Sequence, residues 1–194
     1  MHGIIVLVGG FLLDCLLGDP HNPWHPICLI GYLISFLEKK IRKLFPKQPK
    51  GEFYGGLVMA VLVLFISTAV PIVLLKAAKW IHPYLALVLE IIMCYQLLAA
   101  RSLRDESMKV YQHDIEGARK AVSMIVGRDT QRLDAAGIAK AAVETVAENA
   151  SDGVIAPMIF IAIGGVPLGF FYKAVNTMDS MVGYKNEKYL YFGR

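Results

Sequence analysis

The sequence predicts an all-α integral membrane protein with a cytoplasmic polar helical region and a re-entrant hairpin near its C-terminal end. Three observations carry this. Of 194 residues, 56% are hydrophobic and 19% charged, with a mean hydropathy of +0.50, against roughly 45–50% apolar and about 25% charged in soluble domains. The apolar residues are clumped into runs of roughly 15–21 residues, the length that crosses or nearly crosses a bilayer core. The last of these runs is interrupted at its centre by Gly164-Gly165-Val166-Pro167. Such a chain is not disordered, collagen-like or a small disulfide scaffold, and an ordinary soluble enzyme is disfavoured.

Residues 3–17 form the first apolar segment, short for a span. The segment has no basic flank before it, Asp14 within it and no small-residue cleavage site after it. It therefore reads as a retained helix rather than a signal peptide. Residues 18–26 follow, with prolines at every third position (Pro20, Pro23, Pro26), which favours an extended polyproline-like path. A short helix is expected over 27–37. Residues 38–52 hold six cations against two acids, the mark of a cytoplasmic loop.

Residues 55–75 carry no charge and reach about 31 Å as a helix, enough to cross. After a turn with Lys76 and Lys79, residues 81–100 return through the membrane with one carboxylate, Glu90. Residues 101–153 are the long polar region, with eight basic and nine acidic side chains. Two or three helices are expected there, broken near Gly127, with Asp129 or Asp134 as an N-cap. Residues 154–172 are apolar again. Gly-Gly and Pro at the centre favour a re-entrant hairpin over a plain crossing, because broken backbone at membrane depth needs protein or a cavity around it. The whole reads as one membrane-embedded domain, 1–194, made of 1–100, 101–153 and 154–194. If 38–52 is cytoplasmic, every polar motif faces that compartment and the chain is a multi-pass protein of the cell (inner) membrane.

The net charge is +4, and no basic run is interleaved with aromatics, so nucleic acid is not an expected partner. Cys15, Cys28 and Cys94 are odd in number and form no C-x-x-C pair; they read as small hydrophobes, without disulfide or zinc.

Three clusters could carry chemistry. Asp19, His21 and His25 lie within seven residues and could handle a phosphate or a metal, or simply cap a rigid loop. Lys140, Glu144, Glu148 and Asp152 recur every four residues on one helix face. Carboxylates so spaced can hold Mg²⁺ with substrate phosphates, or form a solvated face. Asn149 crowds the same place. Lys173, Asn176 and Asp179, then Lys185, supply a phosphate partner and polar contacts, or a snorkelling lysine beside an interfacial helix. Arg128 at a helix start could bind an anion. Walker-type and zincin motifs are absent from the sequence.

These residues resemble a known family. Leu12-Leu13-Asp14, Gly18-Asp19-Pro20-His21, Trp24-His25-Pro26 and Ile30-Gly31 are similar to the N-terminal motif of the CbiB/CobD membrane proteins of cobalamin biosynthesis. So are 121–130, then 142–149 with Ser151-Asp152-Gly153, then 172–186. The resemblance covers nearly the whole chain, in order. It implies adenosylcobinamide-phosphate synthase activity: ATP-dependent amide formation between adenosylcobyric acid, a corrinoid, and aminopropanol or its phosphate. ATP would convert the carboxylate to an acyl phosphate, the amine would attack, and phosphate would leave. The roles expected for individual residues follow from chemistry. Asp19, His21, His25 and Lys173 are the catalytic group. Arg128, Asn149, Asn176, Asp179 and Lys185 bind substrate or phosphate. Glu144, Glu148 and Asp152 hold Mg²⁺.

Membrane lipid and other cobalamin-pathway enzymes are the expected partners, and an oligomer is compatible with this reading. Family members usually continue past Tyr191-Phe192-Gly193-Arg194, so the chain is expected to be C-terminally short. Two alternatives stay open. One is a small transporter of an anionic solute, which the crowding of polar motifs at helix ends on one side argues against. The other is a non-catalytic membrane scaffold for corrin-pathway enzymes.

Overall fold

The computed structural model describes residues 1–19, 22–111, 114–126 and 129–193. His21 and Arg128 lie outside the described residues. Among the described residues the chain is helical, without strands. The helices are α1 (His2–Leu17), α2 (Pro26–Leu44), α3 (Pro49–Ile81), α4 (Pro83–Tyr95), α5 (Ala100–Tyr111), α6 (Ile115–Ser123) and α7 (Ala135–Ala150). A π-turn (Ser151–Ile155) then leads into α8 (Ala156–Val182). Three stretches, Pro49–Ile81, Pro83–Tyr111 and Ala135–Val182, are long and apolar enough to cross a membrane, and α1 adds a shorter apolar helix.

The 33 residues of α3 are the axis, about 50 Å long. Its buried stripe, Gly56, Met59, Val63, Ser67 and Pro71, repeats at helical spacing and faces α2, α4 and α8. α1 packs along α4. The main core joins Val6, Ile34, Met59, Val63, Leu97, Val166 and Phe170. A smaller core, Val110, Val122, Ile138 and Ala141, holds α5, α6 and α7 together.

Several boundaries differ from the sequence expectations. The cationic stretch 38–52 is largely helical, because Ile30, Ile34 and Ile41 of α2 continue one buried stripe while its lysines stay on the outer face. Residues 22–25 turn rather than extend. The His25 N–H donates to the Asn22 carbonyl at 3.0 Å, and the Trp24 N–H to Asn22 Oδ1 at 2.9 Å, an Asx-type turn. The return segment 81–100 breaks early. Pro83 starts α4 and His82 Nδ1 accepts the Tyr84 N–H at 3.3 Å. α4 then stops at Tyr95. Of the two acids weighed as N-caps, Asp134 caps α7, accepting the Gly137 N–H at 2.8 Å.

A hairpin is present at the Gly164-Gly165 break. At Gly165 φ is 71° and ψ is −176°, a region essentially restricted to glycine. The chain reverses there. The Phe160 and Tyr172 rings lie 4.8 Å apart, where a straight helix would separate the two residues by about 18 Å. A Cβ on Gly169 would come 2.6 Å from Ile161 Cγ1, so the two arms, 156–163 and 166–182, touch backbone to side chain. Residues 183–193 then fold back under the body. Arg42 stacks over Phe192 at 4.1 Å and donates to the Lys188 carbonyl at 2.7 Å. Hydrogen bonds to the Tyr189 hydroxyl and to Glu38 hold the Lys188 pKa above the ordinary lysine value.

Candidate active site

The four-residue break between α4 and α5 organises the site. Two amide N–H groups at the start of α5 lack helical acceptors and take them from distant chain. The Ala100 N–H donates to Asp14 Oδ2 at 2.7 Å, and the Ala99 N–H to the Gly153 carbonyl at 3.1 Å. One turn thereby ties the first polar motif to the second. The Tyr95 hydroxyl donates to the Gly18 carbonyl at 2.7 Å, the Asp19 N–H to Ser102 Oγ at 3.1 Å, and the Arg101 guanidinium to the Leu16 carbonyl. Gly18 has φ 70°, the glycine-only backbone that lets the chain leave α1 toward α5.

The hairpin brings in the third motif. The Asn176 amide donates to Asp152 Oδ2 at 3.2 Å and the Tyr172 hydroxyl lies 3.4 Å from Asp152 Oδ1. Lys173 is buried, at 6% exposure. The two carboxylates whose charges act on it are Asp19 and Asp152. No hydrogen bond or ion pair joins its ammonium to any described residue. On the other wall, His25 Nε2 lies 2.9 Å from Asp19 Oδ1 but out of line for a hydrogen bond, leaving a buried ring nitrogen unpartnered. Asp14 is fully buried and its Oδ1 is also unpartnered. A cleft of about 720 Å³ opens on the Asp19–His25 side, walled by Asp19, His25, Cys28, Arg101, Asp105 and Lys109 among others; Lys173, Asp152 and Asn176 lie behind its lining. A buried cation in the field of two carboxylates, one of them paired with a histidine at the wall of an open polar cleft, is a constellation able to grip an anion and move a proton.

The sequence-derived residues divide accordingly. Asp19, His25, Asp152, Lys173 and Asn176 converge. Asp179 and Lys185 are exposed further along the chain and have no place beside Lys173. Asn149, Glu144 and Glu148 are exposed too. The expected three-carboxylate metal face is not formed: among the described residues no group of three His, Cys, Asp or Glu side chains is placed to hold a metal. The reason is the π-turn starting at Ser151, which adds a residue to the turn and carries Asp152 off the Glu144–Glu148 line. Glu144 lies 3.8 Å from Lys140 instead. Tyr95, Arg101 and Ser102 were missed. Asp14 had a signal, a carboxylate inside an apolar run, but no assigned role.

The height of the site along α3 follows from its neighbours. Pro26, Ser67, Val70, Met93 and Phe170 line one apolar groove, so α4 ends and α2 begins opposite the middle of α3. Lys173, one turn past Phe170, is level with the centre of the charge-free run 55–75.

The family model described as CobD/Cbib protein matches residues 7–194. The cobalamin biosynthesis protein CobD of Clostridium perfringens is 48% identical over 194 residues, covering 98% of this chain and 61% of that protein. The CobD of Geobacter metallireducens is 46% identical, covering 98% and 60%. The cobalamin biosynthesis protein CbiB of Salmonella typhi is 44% identical, covering 94% and 58%. The chain thus spans about three-fifths of the length of these relatives. No solved structure matches it. The chain belongs to the CobD/CbiB family.

Proposed function

We propose that this family member serves cobalamin biosynthesis by ATP-dependent amide formation between adenosylcobyric acid and aminopropanol or its phosphate. The observation that carries the reading is the convergence of three distant motifs around Lys173. A carboxylate is a poor acyl donor. Transfer of a phosphoryl group from ATP gives an acyl phosphate and ADP; amine attack at its carbonyl carbon then forms the C–N bond and releases phosphate and a proton. Lys173 neutralises the phosphoryl oxygens, or the oxyanion that develops at the acyl carbon. The Asp19–His25 pair accepts the proton from the attacking ammonium, His25 carrying it and Asp19 orienting the ring. Asn176 holds Asp152 and offers its remaining donor to substrate.

Mg²⁺ takes one or two carboxylates plus substrate phosphates. Asp152 and Asp19 fit that need, and the ion would neutralise phosphate charge there. The cleft faces the cytoplasm in this reading, where ATP is found, with lipid and other pathway enzymes around it.

The test is a coupled assay of the purified chain in nanodiscs with adenosylcobyric acid, ATP and aminopropanol phosphate. Amide product by mass spectrometry with equimolar ADP supports the reading. Neither product nor binding of nucleotide or corrinoid overturns it for this chain. The mid-height position of the charged cluster, beside a broken helix, favours a second reading as a transporter of an anionic solute. ATP-independent uptake into proteoliposomes distinguishes it.

A further inference from the structure

α2 divides its faces where it climbs beside α3. With 3.6 residues per turn, Tyr32, Phe36, Lys39, Lys40 and Lys43 fall within one arc of about 100°, and all five are exposed. Ile30, Ile34 and Ile41 lie on the opposite side, buried in the core. The outer face is apolar in its lower part and cationic in its upper part, the Lys40 ammonium standing 5.7 Å from the Phe36 ring centre. Gly55, the first residue of the charge-free run 55–75, fixes the height of the change: a Cβ there would stand 3.3 Å from Ile41 Cγ2. Ile41 is therefore level with the edge of the apolar span, and Lys39, Lys40 and Lys43 lie within about 3 Å of that height along the helix. The two acids of the stretch are withdrawn from this face. Glu38 and Glu52 both pair with Arg42, at 3.0 and 3.4 Å, and Glu38 also takes Lys188 at 3.1 Å. Lys39, Lys40 and Lys43 make no ion pair with any described residue.

We propose that this face of α2 binds an anionic phospholipid, its phosphate on Lys39, Lys40 and Lys43 and an acyl chain along Phe36 and Tyr32. The order of the face is the order of the molecule, with charge above and hydrocarbon below. Lys43 follows Lys39 by four residues and Lys40 by three, so the three ammonium groups are neighbours on the helix surface and can share one anion. Long lysine stems covering apolar surface let the charges reach the phosphate level. With Glu38 and Glu52 held by Arg42, a negative headgroup meets cations alone. A zwitterionic headgroup would bring its own cation against three others. A soluble acidic partner would meet the lysines but gain nothing from Tyr32 and Phe36, which lie below headgroup level. Lysines that serve only to orient the chain need neither a common face nor the withdrawal of the nearby acids. This surface stands apart from the cleft and does not depend on the amide-forming reading of it.

The test reconstitutes the 194-residue chain in nanodiscs of equal phosphatidylglycerol and phosphatidylcholine and counts retained lipids by native mass spectrometry. The unaltered protein retains phosphatidylglycerol over phosphatidylcholine by at least about fivefold, the scale of one lysine near an anionic surface. The triple variant Lys39→Gln/Lys40→Gln/Lys43→Gln, at exposed positions without ion pairs, keeps the thermal unfolding midpoint of the parent and retains the two lipids equally. The double variant Lys76→Gln/Lys79→Gln removes exposed cations from the other end of α3 and keeps the preference. Added glycerol 3-phosphate, the headgroup charge without hydrocarbon, does not displace the lipid. Equal retention by the unaltered protein, a preference that survives the triple variant, one lost equally in the double variant, or displacement by glycerol 3-phosphate overturns the proposal.

Discussion

Asp14 reaches across 86 residues of chain to accept the Ala100 amide at 2.7 Å. A fully buried carboxylate on α1 thus supplies the acceptor that the first turn of α5 lacks. Asp14→Ala leaves that N–H orphaned in a buried place, at a cost of about 1–3 kcal/mol. Asp14→Asn keeps an acceptor oxygen and is expected to cost less. Thermal unfolding in detergent ranks the two. Because the same turn carries Ala99 against Gly153, Asp14→Ala should also raise hydrogen exchange at residues 99–103; equal exchange in both variants contradicts the bracing role.

Lys173 and Glu148 give opposite expectations. Lys173→Ala removes the buried cation and is expected to reduce ATP-dependent product formation at least about tenfold, equivalent to about 1.4 kcal/mol of barrier. Asp152→Ala should fall in the same range, since Asp152 faces Lys173 and Asn176. Glu148 points outward after the π-turn separates it from Asp152, so Glu148→Ala should stay within about twofold, the scale of a surface change. A loss at Glu148 equal to that at Asp152 would mean that the carboxylates act together after all.

The three cysteines report on the cleft. Cys28 is exposed and lines the cleft beside Asp19 and Arg101; Cys15 is exposed on the apolar flank of α1; Cys94 is buried. At the depth of the middle of α3, charges such as Asp19, Arg101 and Asp105 require water. A membrane-impermeant thiol reagent is therefore expected to modify Cys28, leaving Cys15 to lipid-permeable reagents and Cys94 unreacted until unfolding. An anionic ligand in the cleft should slow modification of Cys28. Modification of Cys28 only by permeable reagents would show that the cleft is closed to water.

Much of this architecture was legible in the sequence. Charge-free runs gave α3, and Gly164-Gly165 with Pro167 gave the hairpin, because only those residues leave a helix so sharply. Asp19, His25, Asp152, Lys173 and Asn176 stood out as polar groups beside apolar runs. What periodicity could not reveal is the rotation at Ser151. A π-turn changes the residue count per turn by one without a residue type that announces it, and a four-residue spacing then points Asp152 away from Glu148. Nor could it reveal Tyr95 and Arg101, whose role depends on α4 ending halfway along α3. The length of the apolar run 81–100 argued for a full crossing.

The hairpin is the feature on which the site depends, since a straight helix would put Asp152 and Asn176, 24 residues apart, about 36 Å from each other. In a background with the native cysteines replaced, Phe160→Cys with Tyr172→Cys is expected to cross-link with short bifunctional thiol reagents, the native rings being 4.8 Å apart. Gly165→Ala forces a side chain into φ 71°, ψ −176°, at a cost of about 1–3 kcal/mol. Gly169→Val wedges the arms apart against Ile161 and Leu97. Either change should reduce the cross-linking yield and, because Lys173 and Asn176 ride on the second arm, product formation with it. Gly183→Ala, beyond the arms, would disturb only the local contact with Asp179 and should leave the cross-link intact. Absence of the cross-link in the parent pair would mean that residues 154–172 run straight through, and the three motifs could then share no cleft.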